Sequence, residues 1–212
     1  MTAPTPRRGR AATPVTRDVR AAILEATESL LARRPFDKLA VAEILAAAGV
    51  SRASFYFYFG GKHDVLAELV RGAVQSGHAT AESWTARAGG GPPEPALRRS
   101  VTAGSELWRR KAPVLRAIVE NWHTDPQLTE LWTVLMAGFT AATAERIERD
   151  RAEGVAPRGG LPADHLASAL TWLSERLQYL AAAGVAPFDD EDVLVDTITG
   201  VWLAAVYGSP PR

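Results

Sequence analysis

Apolar residues along this chain recur mostly at three- and four-residue steps, the spacing of helices that bury one face. From Arg17 the series Val19, Ile23, Ala26, Leu30 runs until Arg34-Pro35 stops it. Val41, Ile44, Leu45 and Ala48 mark a short amphipathic helix ended by Gly49. Lys62 opens a longer pattern through Val65, Leu66, Leu69, Val70 and Val74. After a Gly/Pro run over 88–95 the pattern predicts helices at roughly 95–111, 113–122, 126–153, 163–183 and 189–207. One stretch has a different rhythm. Phe55-Tyr56-Phe57-Tyr58-Phe59 alternates with a period of two, as a half-buried strand would. No second strand is predicted to pair with it, and a lone strand is unstable. The chain therefore reads as all-α, with about nine helices.

Read as helix, the aromatic run separates into two groups. At about 100° per residue, Phe55 and Phe59 share one side, Ala53 and Phe57 face the other, and Ser54, Tyr56 and Tyr58 flank them. Gly49 supplies a tight turn, and Ser51 is placed to cap a helix that begins at Arg52. Residues 41–58 thus have the anatomy of a helix-turn-helix whose second helix exposes aromatic surface among polar neighbours. Groove insertion explains that exposure. A short helix enters the major groove with its N-terminal residues at the base edges. Arg52 can pair with guanine, Ser54 with a base or phosphate, and Ala53 or Phe57 with a thymine methyl. Tyr56 and Tyr58 can reach phosphates, and Lys62 can neutralise one. A wholly buried aromatic cluster is the competing reading.

Charge supports the groove reading. The 212 residues carry no formal net charge, but residues 1–75 hold 11 Lys/Arg against 7 Asp/Glu, a net of +4. The rest of the chain balances this with −4, so a localised contact with a polyanion is expected in the front half. There is no cysteine, which excludes disulfides, thiolate metal sites and cysteine nucleophiles. The four histidines have no metal-ligand spacing, so neither metal nor cofactor is expected. Glu120/His123 and Asp164/His165 are the carboxylate–histidine neighbours, and neither has a nucleophile at a recognisable spacing; no catalytic residue is predicted. The N-terminus lacks an apolar signal-peptide core, and no run is long enough to span a bilayer. A cytoplasmic protein without a membrane partner is expected.

The segment VAEILAAAGVSRASFYFYFGGKHDVLAELV resembles the DNA-binding domain of the TetR family of transcriptional regulators. The features in register are Ala48-Gly49-Val50-Ser51, Ser54-Phe55-Tyr56, Tyr58-Phe59 and Lys62. Ser54 stands where the family more often has Thr, and Gly60-Gly61 where a capping Ser or Asn is usual. A capping Gly costs only a few tenths of a kcal/mol. The segments ELWTVLM, ERDRAEGVAPRGGLPADHLASAL, SERLQYLAA and VWLAAVYG are similar to the EthR-like subgroup in the same order. Gly72 to Ala103 matches poorly.

Residues 1–15, rich in Pro, Thr, Ala and Arg without apolar periodicity, read as a disordered basic arm, and the resemblance implies a helix-turn-helix domain over 16–62 and a ligand-binding and dimerisation domain over 63–212. Trp132, Met136 and Phe139, spaced i, i+4, i+7, share one helix face and by spacing alone read as core. In EthR-like regulators the corresponding helix lines an apolar ligand channel. Trp132, Met136, Phe139, Tyr179 and Trp202 match its walls. Thr171, Ser174 and Glu175 match its polar positions, with Thr171 and Ser174 standing where the subgroup has Asn. The last two helices resemble the family's four-helix dimer interface, with Leu170, Leu173, Leu177, Val193, Ile198, Gly200, Val201 and Ala205 as its candidate surface. The expected protein is a dimeric repressor on double-stranded palindromic operator DNA, released by a small apolar or amphipathic effector. A hydrophobic carrier without operator binding is the alternative, and an enzyme a remoter one.

Overall fold

A computed structural model describes residues 18–87 and 92–208, with residues 76–82 described by their backbone alone. The basic arm predicted over 1–15 and the first half of the Gly/Pro run, 88–91, lie outside the described residues.

Most helix starts have a local chemical cause. Asp18 caps α1 (Val19–Leu31), its Oδ1 accepting from the Arg20 and Ala21 amides at 3.0 and 3.3 Å. Sequence periodicity put the start a residue or two earlier, because it weighs apolar spacing and not the cap. Thr27 is fully buried in α1, and its hydroxyl donates back to the Ile23 carbonyl at 2.8 Å. A single 3₁₀ turn, Phe36–Lys38, then drives Phe36 into the core. α2 (Val41–Ala48) begins with the Glu43 carboxylate accepting from the Ala40 amide at 3.0 Å, and ends at Gly49 with φ +65°. That left-handed conformation is the one glycine tolerates without strain.

Ser51 caps α3 (Arg52–Tyr58), its Oγ accepting from the Ser54 amide at 3.0 Å. α4 (Lys62–Thr85) follows without a Ser or Asn cap. Asp64 replaces it, taking the Gly60 amide at 2.6 Å from within the first turn. At about 1.5 Å per residue, the 24 residues of α4 span about 36 Å away from the helix-turn-helix. α5 (Pro93–Asn121) is one helix bent at Lys111, where φ is −111° and ψ is 19°. Pro113 has no amide hydrogen to give the preceding turn and forces the bend. The two helices predicted over 95–111 and 113–122 are the arms of this kink.

α6 (Pro126–Ala152) and α8 (Glu191–Tyr207) are capped by Asp125 and Asp190, and α7 (Ala163–Ala182) starts behind Pro162. Among the described residues there are eight α-helices, nine if the two arms of α5 are counted separately, with 3₁₀ turns at Phe36–Lys38 and Trp122–Thr124 and no strand.

Two apolar clusters hold the fold together. One joins Ile23, Ile44 and Phe55 of the first three helices, with Phe36 of the 3₁₀ turn and Phe59 just beyond α3, to Leu66 and Val70 of α4, Ile118 of α5 and Trp132 of α6. The other gathers Trp84, Leu97, Ile147, Leu170, Ile198 and Trp202. α4 contributes to both, through Val65–Val74 to the first and through Trp84 to the second. The helix-turn-helix is thus packed onto the remaining helices rather than tethered to them.

Candidate nucleic-acid interface and ligand cavity

The aromatic run sorts as helical spacing predicts. Phe55 and Phe59 are buried, and Phe57 is 82% exposed with Tyr56 and Tyr58 half-exposed beside it. α3 ends at Tyr58, so Phe59 reaches the core from an extended residue rather than from the helix. Phe55 lies edge-on to Tyr56 at 5.3 Å, and Phe57 edge-on to Tyr58 at 5.0 Å. Arg52 and Ala53 are exposed at the start of the same helix. The Arg52 guanidinium sits 6.0 Å from the Tyr56 ring centre. Ser54 is less available, its Oγ being 2.8 Å from the Ser51 Oγ. An exposed aromatic stripe flanked by arginine on a short helix has the dimensions and chemistry of a major-groove reader.

Lys62 does not join this face. Its Nζ donates to the carbonyls of Phe36, Asp37 and Leu39 at 2.9, 3.1 and 2.9 Å, and lies 4.8 Å from the Phe36 ring centre. All three donors of the ammonium are taken up by backbone, so it ties the 3₁₀ turn to α4 instead of neutralising a phosphate. The sequence gives no sign of this, because the carbonyls come from a turn more than 20 residues away.

The second feature is a cavity of about 220 Å³ among the other helices. Trp84 and Thr85 reach it from the end of α4, Leu97, Val101 and Trp108 from α5, and Ile198 and Trp202 from α8. Trp132, Met136 and Phe139 of α6 form an apolar wall, continued by Thr143. Facing it, α7 presents Thr171, Ser174, Glu175 and Gln178, an i, i+3, i+4, i+7 stripe of polar residues. Seven of the eight residues expected to line a channel therefore do so. Trp84, Trp108, Thr143 and Gln178 join them. Gln178 and Thr143 complete the helical spacing of their stripes and are detectable by that signal; Trp84 and Trp108 come from helices whose facing only packing decides.

Tyr179 is the exception. It lies roughly a quarter-turn from the centre of the polar stripe, and its hydroxyl donates to Glu120 Oε1 at 3.1 Å. Arg176 covers its ring at 5.1 Å. An aromatic side chain in the right stretch of sequence thus faces α5 rather than the cavity.

Most polar groups of the cavity wall are already engaged. Trp202 Nε1 donates to Ser174 Oγ at 2.9 Å, and Ser174 donates to the Leu170 carbonyl at 2.9 Å. Gln178 Nε2 donates to Ser105 Oγ at 3.0 Å. The Trp132 indole nitrogen and the Thr171 hydroxyl are sealed in the wall without partners. Glu175 is buried, and burial pushes its carboxyl above the usual range, against a smaller opposing pull from Arg176.

Beyond Trp84 the wall is anchored by ions. Asp150, fully buried, pairs with Arg87 at 2.7 Å and with Arg146. Arg146 also donates to the Arg87 carbonyl at 2.8 Å. Such a buried group is tolerable because each charge meets an opposite charge or a dipole.

On the outer side, Val193, Gly200, Val201, Ala204 and Ala205 form an exposed apolar stripe along α8. Leu170, Leu177 and Ile198 of the candidate dimer surface point inward to the core, and Leu173 is half-buried. The Asp164/His165 pair is solvent-exposed at 3.9 Å, and Glu120 is occupied by Tyr179 and Arg116. Among the described residues no three acidic or histidine side chains are grouped to hold a metal ion, and no helix is long and apolar enough to cross a membrane.

Residues 23–69 match the family of bacterial regulatory proteins, tetR family, and residues 97–208 match the C-terminal domain of the transcriptional regulator EthR. The chain is 35% identical over 211 residues to the HTH-type transcriptional regulator EthR of Mycolicibacterium smegmatis, covering 98% of this chain and 94% of that one. It is 33% identical over 203 residues to the EthR of Mycobacterium tuberculosis, covering 96% and 94%. Its fold is similar to that of a bacterial regulatory protein in the tetR family from Rhodococcus RHA1. That match has a TM-score of 0.70 at 16% identity, over 92% of this chain and all of the other (100%).

Proposed function

The chain belongs to the TetR family of bacterial DNA-binding transcriptional regulators, and from that premise we propose that it is a dimeric repressor released from a palindromic operator by a small apolar or amphipathic effector. Its site of action is the cytoplasm, and its work is binding rather than catalysis. Arg52, Ala53, Ser54, Tyr56, Phe57 and Tyr58 read the operator. The α6–α7 cavity takes the effector.

One observation carries this reading: α4 serves both sites. Its first turns pack against Phe55 in the core beneath the recognition helix, and its last turn, Trp84 and Thr85, lines the cavity. A ligand that prefers one setting of α4 therefore changes the placement of α3. Release follows only if the effector binds the non-operator conformer more tightly than the operator-competent one. The exposed stripe of Val193, Val201 and Ala205 supports dimerisation along α8, whereas Leu170 and Leu177 of α7 are taken up by the core. Two copies joined there would present two recognition helices to half-sites one helical turn, or a multiple of it, apart.

The test is a titration against the DNA upstream of the protein's own gene at two salt concentrations. Binding there but not to a scrambled duplex is expected, and so is its loss in an Arg52→Ala, Tyr56→Ala double variant that still binds ligand. Equal affinity for the two duplexes sinks the specific-regulator reading. A double variant whose operator affinity is unchanged removes α3 as the reader.

A further inference from the structure

Among the described residues that line the cavity, one carries a charge. There is no Lys, Arg or His among them, and Glu175 is the single carboxylate. Glu175 is 7% exposed and forms no hydrogen bond or ion pair within the described structure. Two of its neighbours on the α7 stripe are engaged elsewhere, Ser174 with Leu170 and Trp202, and Gln178 with Ser105. The Trp132 indole nitrogen and the Thr171 hydroxyl in the same wall are also without partners, but neither bonds Glu175 and neither carries an opposite charge. Burying a carboxylate is unfavourable unless an opposite charge or a set of donors replaces water. The remaining surroundings are aromatic, with Trp84, Trp108, Trp132, Trp202 and Phe139 lining the same space. Indole faces attract cations and offer nothing to anions.

On the reading that this cavity is the effector site, we propose that it selects amphipathic molecules bearing a protonated amine. The ammonium pairs with Glu175, and the apolar body lies along Trp132, Met136 and Phe139. An anionic amphiphile is excluded, because its charge would meet an unpaired carboxylate in an apolar enclosure. A neutral one leaves that carboxylate unpaired.

Three probes of equal chain length separate these cases: octylamine, octanol and octanoate, titrated at pH 7 and fixed ionic strength with tryptophan fluorescence as readout. Octylamine is expected to bind at least about tenfold more tightly than octanol, the scale of a desolvated charge pair, with octanoate weakest. In Glu175→Gln, an isosteric change checked for folding by circular dichroism, octylamine falls to the level of octanol. Octanol itself binds the variant no more weakly than the natural protein, because no buried charge is left unpaired. Equal binding of amine and alcohol by the natural protein overturns the proposal, as does an amine preference that survives in Glu175→Gln. Failure of all three probes to bind, or alcohol binding indifferent to a Trp132→Ala, Met136→Ala double variant, removes the cavity as effector site and the amine proposal with it.

Discussion

The Tyr207 hydroxyl donates to Asp150 Oδ2 at 2.6 Å and accepts from Trp84 Nε1 at 3.0 Å, so one phenol joins the end of α8 to the ionic cluster on α6 and the cavity wall on α4. Tyr207→Phe leaves an indole N–H and part of a buried carboxylate unpaired. The expected cost is roughly 1–3 kcal/mol, at about 2–4 °C of melting temperature per kcal/mol for a chain of this size. Burial first, and then the bond to Asp150, push the Tyr207 phenol well above its ordinary 10.0. A raised phenol gives stability that is fully present below pH 10 and lost as pH rises through the folded value. The variant's melting temperature should therefore fall less steeply than the natural protein's in strongly alkaline solution. Unchanged melting at pH 7 would remove Tyr207 from the list of structural ties.

Phe55 and Phe57 are two residues apart and have opposite roles. Phe55 is fully buried, and Phe55→Ala should cost about 3–5 kcal/mol, unfolding the helix-turn-helix before any DNA is met. Phe57→Ala at an 82% exposed position should change stability by no more than about 0.5 kcal/mol while weakening operator binding. The operator affinity should drop more than the affinity for random duplex, because an apolar contact in the groove reads bases and not phosphates. Parallel loss on both duplexes would place Phe57 outside direct readout.

The legible parts of this molecule are those set by neighbours in sequence. Gly49 and Ser51 fix the turn and the start of α3, so the exposure of each ring from Phe55 to Phe59 follows from position along a helix. The polar stripe of α7 and the apolar face of α6 are likewise one-helix patterns, although only family resemblance turned them from core into cavity. What escapes is decided across the chain. The carbonyls that hold Lys62 come from the turn after α1, and Tyr179 is claimed by Glu120 of α5. Trp84 and Trp108 enter the cavity because α4 and α5 pack as they do, and no local period marks them. Asp150, Arg87 and Arg146 form a cluster whose members look like ordinary surface charges until they are brought together.

Lys62 gives a sharp contrast between scaffold and interface. A lysine that neutralises a phosphate contributes about 0.9 to the slope of log affinity against log salt. Lys62 instead satisfies the carbonyls of Phe36, Asp37 and Leu39. Lys62→Met should leave the salt slope of operator binding nearly unchanged and lower stability by roughly 1–3 kcal/mol. Thermal melting and a salt-dependent titration read the two effects separately. A slope reduced by a full phosphate contact with normal stability would restore Lys62 to the interface.

Glu175 couples the cavity to stability as well as to ligand choice. Its raised carboxyl, caused chiefly by burial, contributes stability that is fully present below pH 4.5 and lost as pH rises through the folded value. At neutral pH the charged side chain is a liability that Arg176, the one neighbour acting on it, offsets in part. Glu175→Gln keeps the shape and removes the charge. The variant should melt above the natural protein at pH 8, and the difference should shrink as pH falls toward 4.5. Saturating octylamine should then raise the natural protein's melting temperature more than the variant's, since a ligand stabilises only the state it binds. A variant that melts lower than the natural protein at pH 8 would mean that the carboxylate is stabilised by contacts within the fold, leaving no unmet charge for an amine to satisfy.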